Sequence, residues 1–183
     1  ALYDIGAYQY GMGGQGPMTD DVGVTVGDYF REQLPQFKPS RILDLGCGVG
    51  HQTLGLVDAF PKAELHACDL GAPMVRYAHM RAVDIGIDVN FAQRLAEDSK
   101  FPDNHFDIAT NNIMFHEVTT EAAHEILAES FRVLRPGGVY YPIDFYTGNP
   151  VPKGTYSSFR QWWDSRWNGE PWRLDYAKFD MAA

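Results

Sequence analysis

The chain alternates short, almost wholly apolar runs with longer segments whose apolar residues return every three or four positions. The clearest run, Ile42–Leu45 behind Arg41, is interrupted only by Asp44 and reads as a buried parallel strand. Three glycines at alternate positions follow, Gly46, Gly48 and Gly50, and then Gln52–Phe60, a helical segment stopped by Pro61. Upstream, Thr19, Asp20 and Asp21 look like the cap and acidic first turn of a helix over about 20–34, ended by Pro35. Downstream, Glu64–Cys68 is a second strand closed by Asp69. Pro73 opens a helix that runs to about Ile85 and is ended by Gly86, and Asp88–Phe91 is a third strand. A fourth strand starts near Ile108 and runs into a loop containing Asn112 and His116. Thr119, Thr120 and Glu121 begin a helix that carries Ala123, Ile126, Leu127, Ser130, Phe131 and Leu134 on one face. Pro136 with Gly137 and Gly138 ends it and turns into Val139–Asp144, a fifth strand. Strands alternating with helices predict an α/β chain whose mostly parallel sheet has helices on both faces.

The two ends lack this rhythm. Residues 1–18 carry Tyr3, Tyr8 and Tyr10 and a glycine-rich stretch from Gly11 to Pro17, with neither helical nor strand period. They read as a mobile segment, either a free tail or a lid folding over the mouth of a site. Residues 19–146 make the core. In 147–183 a loop precedes Phe159, Trp162, Trp163 and Trp167 at helical spacing. Those rings pack on the body of the domain, wall a pocket, or meet another chain.

Composition narrows the functional classes. At 183 residues this is one domain by length. Its net charge is −9 and its pI about 5.0, with no basic face to replace the counterions of a nucleic acid. No apolar run approaches the ~18 residues of a membrane span. Cys47 and Cys68 fall near the ends of adjacent strands and read as free, buried thiols of a reducing cytoplasm.

Strand, glycine turn and helix together let a ligand approach bare backbone beside a helix N-terminus. A dinucleotide fingerprint would place its third small residue at position 51, which is His51. Asp69 lies 69 − 50 = 19 residues beyond Gly50, at the tip of the second strand. There it either accepts the ribose hydroxyls of a nucleoside or caps the turn into the next helix.

Asp44-x-Gly46-x-Gly48-x-Gly50 resembles motif I of the class I S-adenosylmethionine (SAM) dependent methyltransferases. Ala96–Asp107 is similar to the acidic, alanine-containing loop and Phe-Pro-Asp-x-x-Phe-Asp segment of their small-molecule members, with Leu95 replacing the usual aspartate. Leu134–Gly138 matches a further family feature, so the resemblance covers roughly residues 40–145. It implies a Rossmann-like doubly wound sheet, SAM as cofactor and a small-molecule methyl acceptor. The cofactor would be held by Asp44, Gly46, Cys47, Gly48, Gly50, Asp69, Leu70, Ala96, Glu97 and Asn112, with no metal. His116 is the candidate catalytic base, at an ordinary pKa near 6.5, or else part of the pocket wall. The family's Asn/Asp-Pro-Pro-Tyr motif is missing, which disfavours methylation of nucleic acid or glutamine nitrogen. A catalytically silent SAM-fold binding module is the alternative function, and a nucleotide-dependent oxidoreductase is disfavoured by the glycine spacing. The family sheet also carries a final antiparallel strand pair, and none is evident after Asp144. Val139–Asp144 is then an open edge, to be covered by the 159–167 helix or by a second copy of the chain in a homodimer.

Overall fold

A computed structural model describes residues 2–10, 12–16, 18–144 and 154–179. The expected loop over 147–153 lies outside the described residues, as do Gly11 and Pro17 of the glycine-rich stretch. In chain order the elements are α1 (Leu2–Tyr10), α2 (Asp21–Gln33), β1 (Arg41–Leu45), α3 (His51–Ala59), β2 (Glu64–Asp69), α4 (Ala72–Ile85) and β3 (Asn90–Gln93). They continue with β4 (Phe106–Asn112), a 3₁₀ turn (Phe115–Glu117), α5 (Thr120–Val133), β5 (Leu134–Ile143), α6 (Tyr156–Trp167) and α7 (Arg173–Tyr176). The five strands form one parallel sheet in the order β3-β2-β1-β4-β5.

Period-two alternation within each strand decides which face a side chain serves. Ile42, Leu65, Ala67 and Ile108 point to one side and pack with Val26 and Phe30 of α2 and Leu56 of α3. Leu43, Leu45, Cys68 and Ala109 point to the other, against Phe101, Phe106 and Val133. Between α2 and α3 the backbones nearly touch. A Cβ at Gly23 would lie 2.2 Å from the Gln52 carbonyl oxygen, and one at Gly55 2.2 Å from that of Asp20. No side chain fits at either position, and α3 is thereby clamped beneath the start of its own glycine turn.

Three expectations need correction. Residues 2–10 are helical, although their sequence shows no clean apolar stripe; tertiary docking rather than amphipathic periodicity holds them. β5 begins at Leu134, already paired with Phe106, and the register slips before Val139 pairs with Ile108. The slip takes up Arg135–Gly138, where Pro136 has no N–H to give and Gly137 sits at φ 81°. Third, α6 is not the cover of the β5 edge: it packs chiefly on α7, which packs on the 3₁₀ turn. The two faces of β5 are covered instead by α2, through Tyr29 and Phe30 against Tyr141 (ring centroids 4.8 and 5.7 Å), and by α5, through Phe131 against Tyr140. Among the described residues no strand lies outside β5.

Candidate functional site

Because all strands are parallel, their carboxyl ends lie along one edge of the sheet. The chain builds outward from β1 to β3, then crosses back to β4. That reversal opens a crevice at the ends of β1 and β4, where ligands of such folds bind. The glycine turn fills the floor of the crevice, with Gly46, Gly48 and Gly50 at φ 67°, 54° and 83°. At Gly48 a Cβ would meet nothing within 4 Å, so this bare backbone borders open space. The Gly48 N–H donates to Asp69 Oδ2 (2.9 Å), and Asp69 Oδ1 accepts from Gly71 N (2.7 Å). Asp69 thus ties the glycine turn to the turn before α4, and each oxygen keeps a lone pair for a ligand hydroxyl. Capping and hydroxyl recognition are compatible at this residue.

Asp44 sits differently from the expectation. It is 1% exposed, and its carboxylate lies beneath the turn rather than at the mouth. Oδ1 accepts from Gln52 Nε2 (3.0 Å) and Oδ2 from Thr53 Oγ1 (2.5 Å), so it pins the first turn of α3 to β1. Burial drives its pKa up to about 7, against the lowering effect of the two hydrogen bonds, and the nearby Asp69 charge adds to the rise. Gln52 also donates to Thr110 Oγ1 (3.3 Å), which donates to the Tyr141 carbonyl (2.6 Å), carrying the network across β4 to β5. The Gln52 amide oxygen is buried with no partner among the described residues. Sequence reasoning passed over Gln52 and Thr53; the available signal was a polar pair just before the apolar and small run Leu54–Val57 of the same helix.

The remaining expected cofactor residues gather on the same edge. Cys47 is buried, its N–H bonded to the Cys68 carbonyl (3.0 Å), and both thiols are free. Burial pushes the Cys68 thiol up to about 12 and raises that of Cys47 as well, so neither is a nucleophile near neutral pH. Leu70 follows Asp69 and is 64% exposed; Ala96 and Glu97 are half-buried in the loop after β3, and Asn112 half-buried at the tip of β4. That loop is clipped from below. Glu129 Oε1 accepts from Ser99 N (2.8 Å) and Oγ (2.5 Å), while Arg94 donates to the Ser99 carbonyl (2.6 Å) and lies over the Phe101 ring. Neither Ser99 nor Glu129 stood out in the sequence, because they meet across 30 residues.

His116 is buried on the opposite wall. Its Nδ1 is 2.8 Å from Asp144 Oδ1, its Nε2 3.4 Å from Glu117, and Asp144 Oδ2 accepts the Phe115 N–H (2.7 Å). Burial alone would lower its pKa, but the Asp144 hydrogen bond, aided by Glu117, raises it to about 9. The Asp144 carboxylate thus orients the ring and favours its protonated form, which counts against a resting base and for the pocket-wall alternative. The C-terminal segment contributes to this wall through Tyr176 and Phe179, which pack with Phe115, Ala123 and Ile126. Its tryptophans do not: Trp162 and Trp167 are 45% and 66% exposed.

Beside the start of α3 and against α4 lies α1. Tyr3 stacks on His51 (centroids 6.1 Å, 26°), and its phenol pKa is raised by burial and by the negative charges of Asp69 and Glu117. Among the described residues no three His, Cys, Asp or Glu side chains are grouped to hold a metal ion. No described helix is long and apolar enough to cross a membrane.

The residues that build this crevice coincide with a recognised family. A profile described as "methyltransferase domain" matches residues 42–138. Demethylmenaquinone methyltransferase of Thermus thermophilus is 36% identical over 118 residues, which cover 64% of this chain and 51% of that protein. Malonyl-[acyl-carrier protein] O-methyltransferase of Methylococcus capsulatus is 35% identical over 137 residues, covering 73% of this chain and 47% of that protein. Among solved structures, the YcgJ protein of Bacillus subtilis superposes with a TM-score of 0.55 at 30% identity, over 66% of this chain and 50% of that one. The chain spans about half the length of these relatives. With the match running from β1 through the turn into β5, over more than half of its length, the chain belongs to the methyltransferase domain family.

Proposed function

We propose that this chain binds SAM in the crevice at the ends of β1 and β4 and transfers its methyl group to a small-molecule acceptor. The observation that carries the reading is the Gly48–Asp69 pair: bare left-handed backbone beside open space, with a carboxylate at the next strand tip fixed toward it. Gly46–Gly50, Asp69, Leu70, Ala96, Glu97 and Asn112 would hold the cofactor, and the buried Gln52 oxygen beneath the turn, without a partner among the described residues, is a polar atom such a site could use. Bound SAM supplies an electrophilic methyl on a sulfonium. The chain's part is alignment and exclusion of water: the strand tips fix one reactant, and the wall of Phe115, His116 and Tyr176 shapes the space for the other. The Asp144 contact favours the protonated form of His116, and such a wall suits an acceptor that arrives already nucleophilic, such as an anion, or one that loses its proton after methylation. Relatives named for quinone and acyl-carrier substrates support a non-nucleic-acid acceptor, as does the charge of −9. The free, buried thiols support a cytoplasmic setting, and the β5 edge, outside which no strand lies among the described residues, supports pairing with a second copy.

Titration calorimetry with SAM and S-adenosylhomocysteine tests the cofactor, and a metabolite screen with labelled SAM tests the acceptor. Asp69→Ala is expected to weaken SAM by about 1.5–3 kcal/mol, the scale of hydrogen bonds to a charged group. Undiminished affinity in a folded variant would take Asp69 out of the site. Binding without transfer to any acceptor would favour the silent binding module.

A further inference from the structure

The N-terminal helix is held in an unusual way for an element in that position. A nine-residue helix has little stability of its own, and α1 leaves Leu2, Ile5 and Tyr8 at 87%, 57% and 47% exposure, so apolar burial anchors it weakly. Among the described residues, its polar anchorage converges on one side chain. Asp4 Oδ1 lies 2.9 Å from His51 Nε2 and 3.4 Å from Arg81 Nη1, and Asp4 Oδ2 accepts from the Tyr77 hydroxyl. One carboxylate therefore joins α1 to the first residue of α3 and to two successive turns of α4. Arg81 extends the connection: it donates to the Val49 carbonyl inside the glycine turn (3.0 Å) and to the Met18 carbonyl where the N-terminal segment leaves (3.1 Å). One residue before Asp4, the Tyr3 ring stacks on His51, the residue that follows the last glycine of the turn.

We infer that Asp4 is a latch: it fastens α1 over the cofactor crevice through His51, Tyr77 and Arg81, so that the cofactor and its product exchange only when this contact opens. The inference rests on the crevice being the SAM site. It also gives a reason for histidine at position 51, where a small residue would suffice for a tight turn: the imidazole is the landing point of both Tyr3 and Asp4. Asp4 is a positioning residue in this scheme and needs no contact with a reacting atom. Elements with few buried apolar contacts open locally at low cost, which suits a cover that must release a product after each turnover.

The test uses the whole chain and S-adenosylhomocysteine. Stopped-flow displacement gives its release rate, and hydrogen exchange of the ligand-free protein gives the protection of 2–10. Asp4→Ala is expected to speed release about tenfold and to erase α1 protection, with exchange in β1 and β4 unchanged. Tyr77→Phe, which removes one latch donor and leaves the crevice intact, should act in the same direction by a smaller factor. Should the parent bind the ligand and both variants release it at the parental rate, the latch is overturned while the cofactor site stands. Should the parent not bind it at all, the cofactor reading of the crevice fails, and the latch with it. Protection of 2–10 that persists in Asp4→Ala would overturn Asp4 as the anchor whatever the release rate.

Discussion

The floor of the crevice and its flanking helices are built on opposite principles. The floor is made by consecutive elements, β1, the glycine turn, α3 and β2. It is held by backbone bonds and by carboxylates whose partners lie within a few tens of residues: Asp44 with Gln52 and Thr53, Asp69 with Gly48 and Gly71. The flanking helices, α1 on one side and α6 packed on α7 on the other, are short and, among the described residues, leave large apolar surfaces in water. A site must hold its ligand in one geometry and still exchange it. Rigidity is concentrated in the floor, where a small displacement would spoil alignment, and looseness in the flanking helices, where opening is useful.

Gly48→Val attacks the floor most directly. A β-branched residue at φ 54° is strained, and its side chain would grow into the open space beside Asp69. Calorimetry should show SAM affinity lowered at least about 100-fold, while circular dichroism retains most of the helix signal. Parental affinity would reduce the turn to a connector and remove the contrast.

A smaller effect is expected at the wall, and it has a sign. The His116 pKa is raised in the folded chain, to about 9, from an ordinary value near 6.5. Its contribution to stability is therefore complete below about pH 6.5 and lost as pH rises through about 9. Urea unfolding should show stability falling over this window by about 1–3 kcal/mol more in the parent than in His116→Gln. Parallel pH profiles would mean that Asp144 does not hold the imidazolium.

The smallest change belongs to the flanking helices. Trp167→Ala on α6 removes a ring that is 66% exposed, and stability should stay within about 0.5 kcal/mol of the parent. A loss above about 2 kcal/mol, by chemical denaturation, would show that α6 is bound into the domain as firmly as α3 and that the contrast between floor and flanks is misdrawn.

The same contrast explains what could be read from the residues. Local rules located β1, the glycine turn, α3, β2 and α4, because Ile42–Leu45, Gly46–Gly50, Pro61, Pro73 and Gly86 act on their immediate neighbours. Alternation then implied a parallel sheet, and the carboxyl ends of its strands implied the crevice. What residues 1–18 would do was beyond those rules, since α1 meets the rest of the domain through contacts such as Asp4 with Tyr77 and Arg81, 73 and 77 positions away. Nor could spacing show that Asp44 faces inward onto Gln52 and Thr53, or that Asp144 would reach His116 and hold its proton. Period and punctuation are properties of neighbours in the chain, and the sequence by itself determined the strand–turn–helix scaffold that they encode. Protonation, burial and the docking of short helices depend on charges and surfaces that approach only after the sheet has assembled, so the tertiary structure alone decided them.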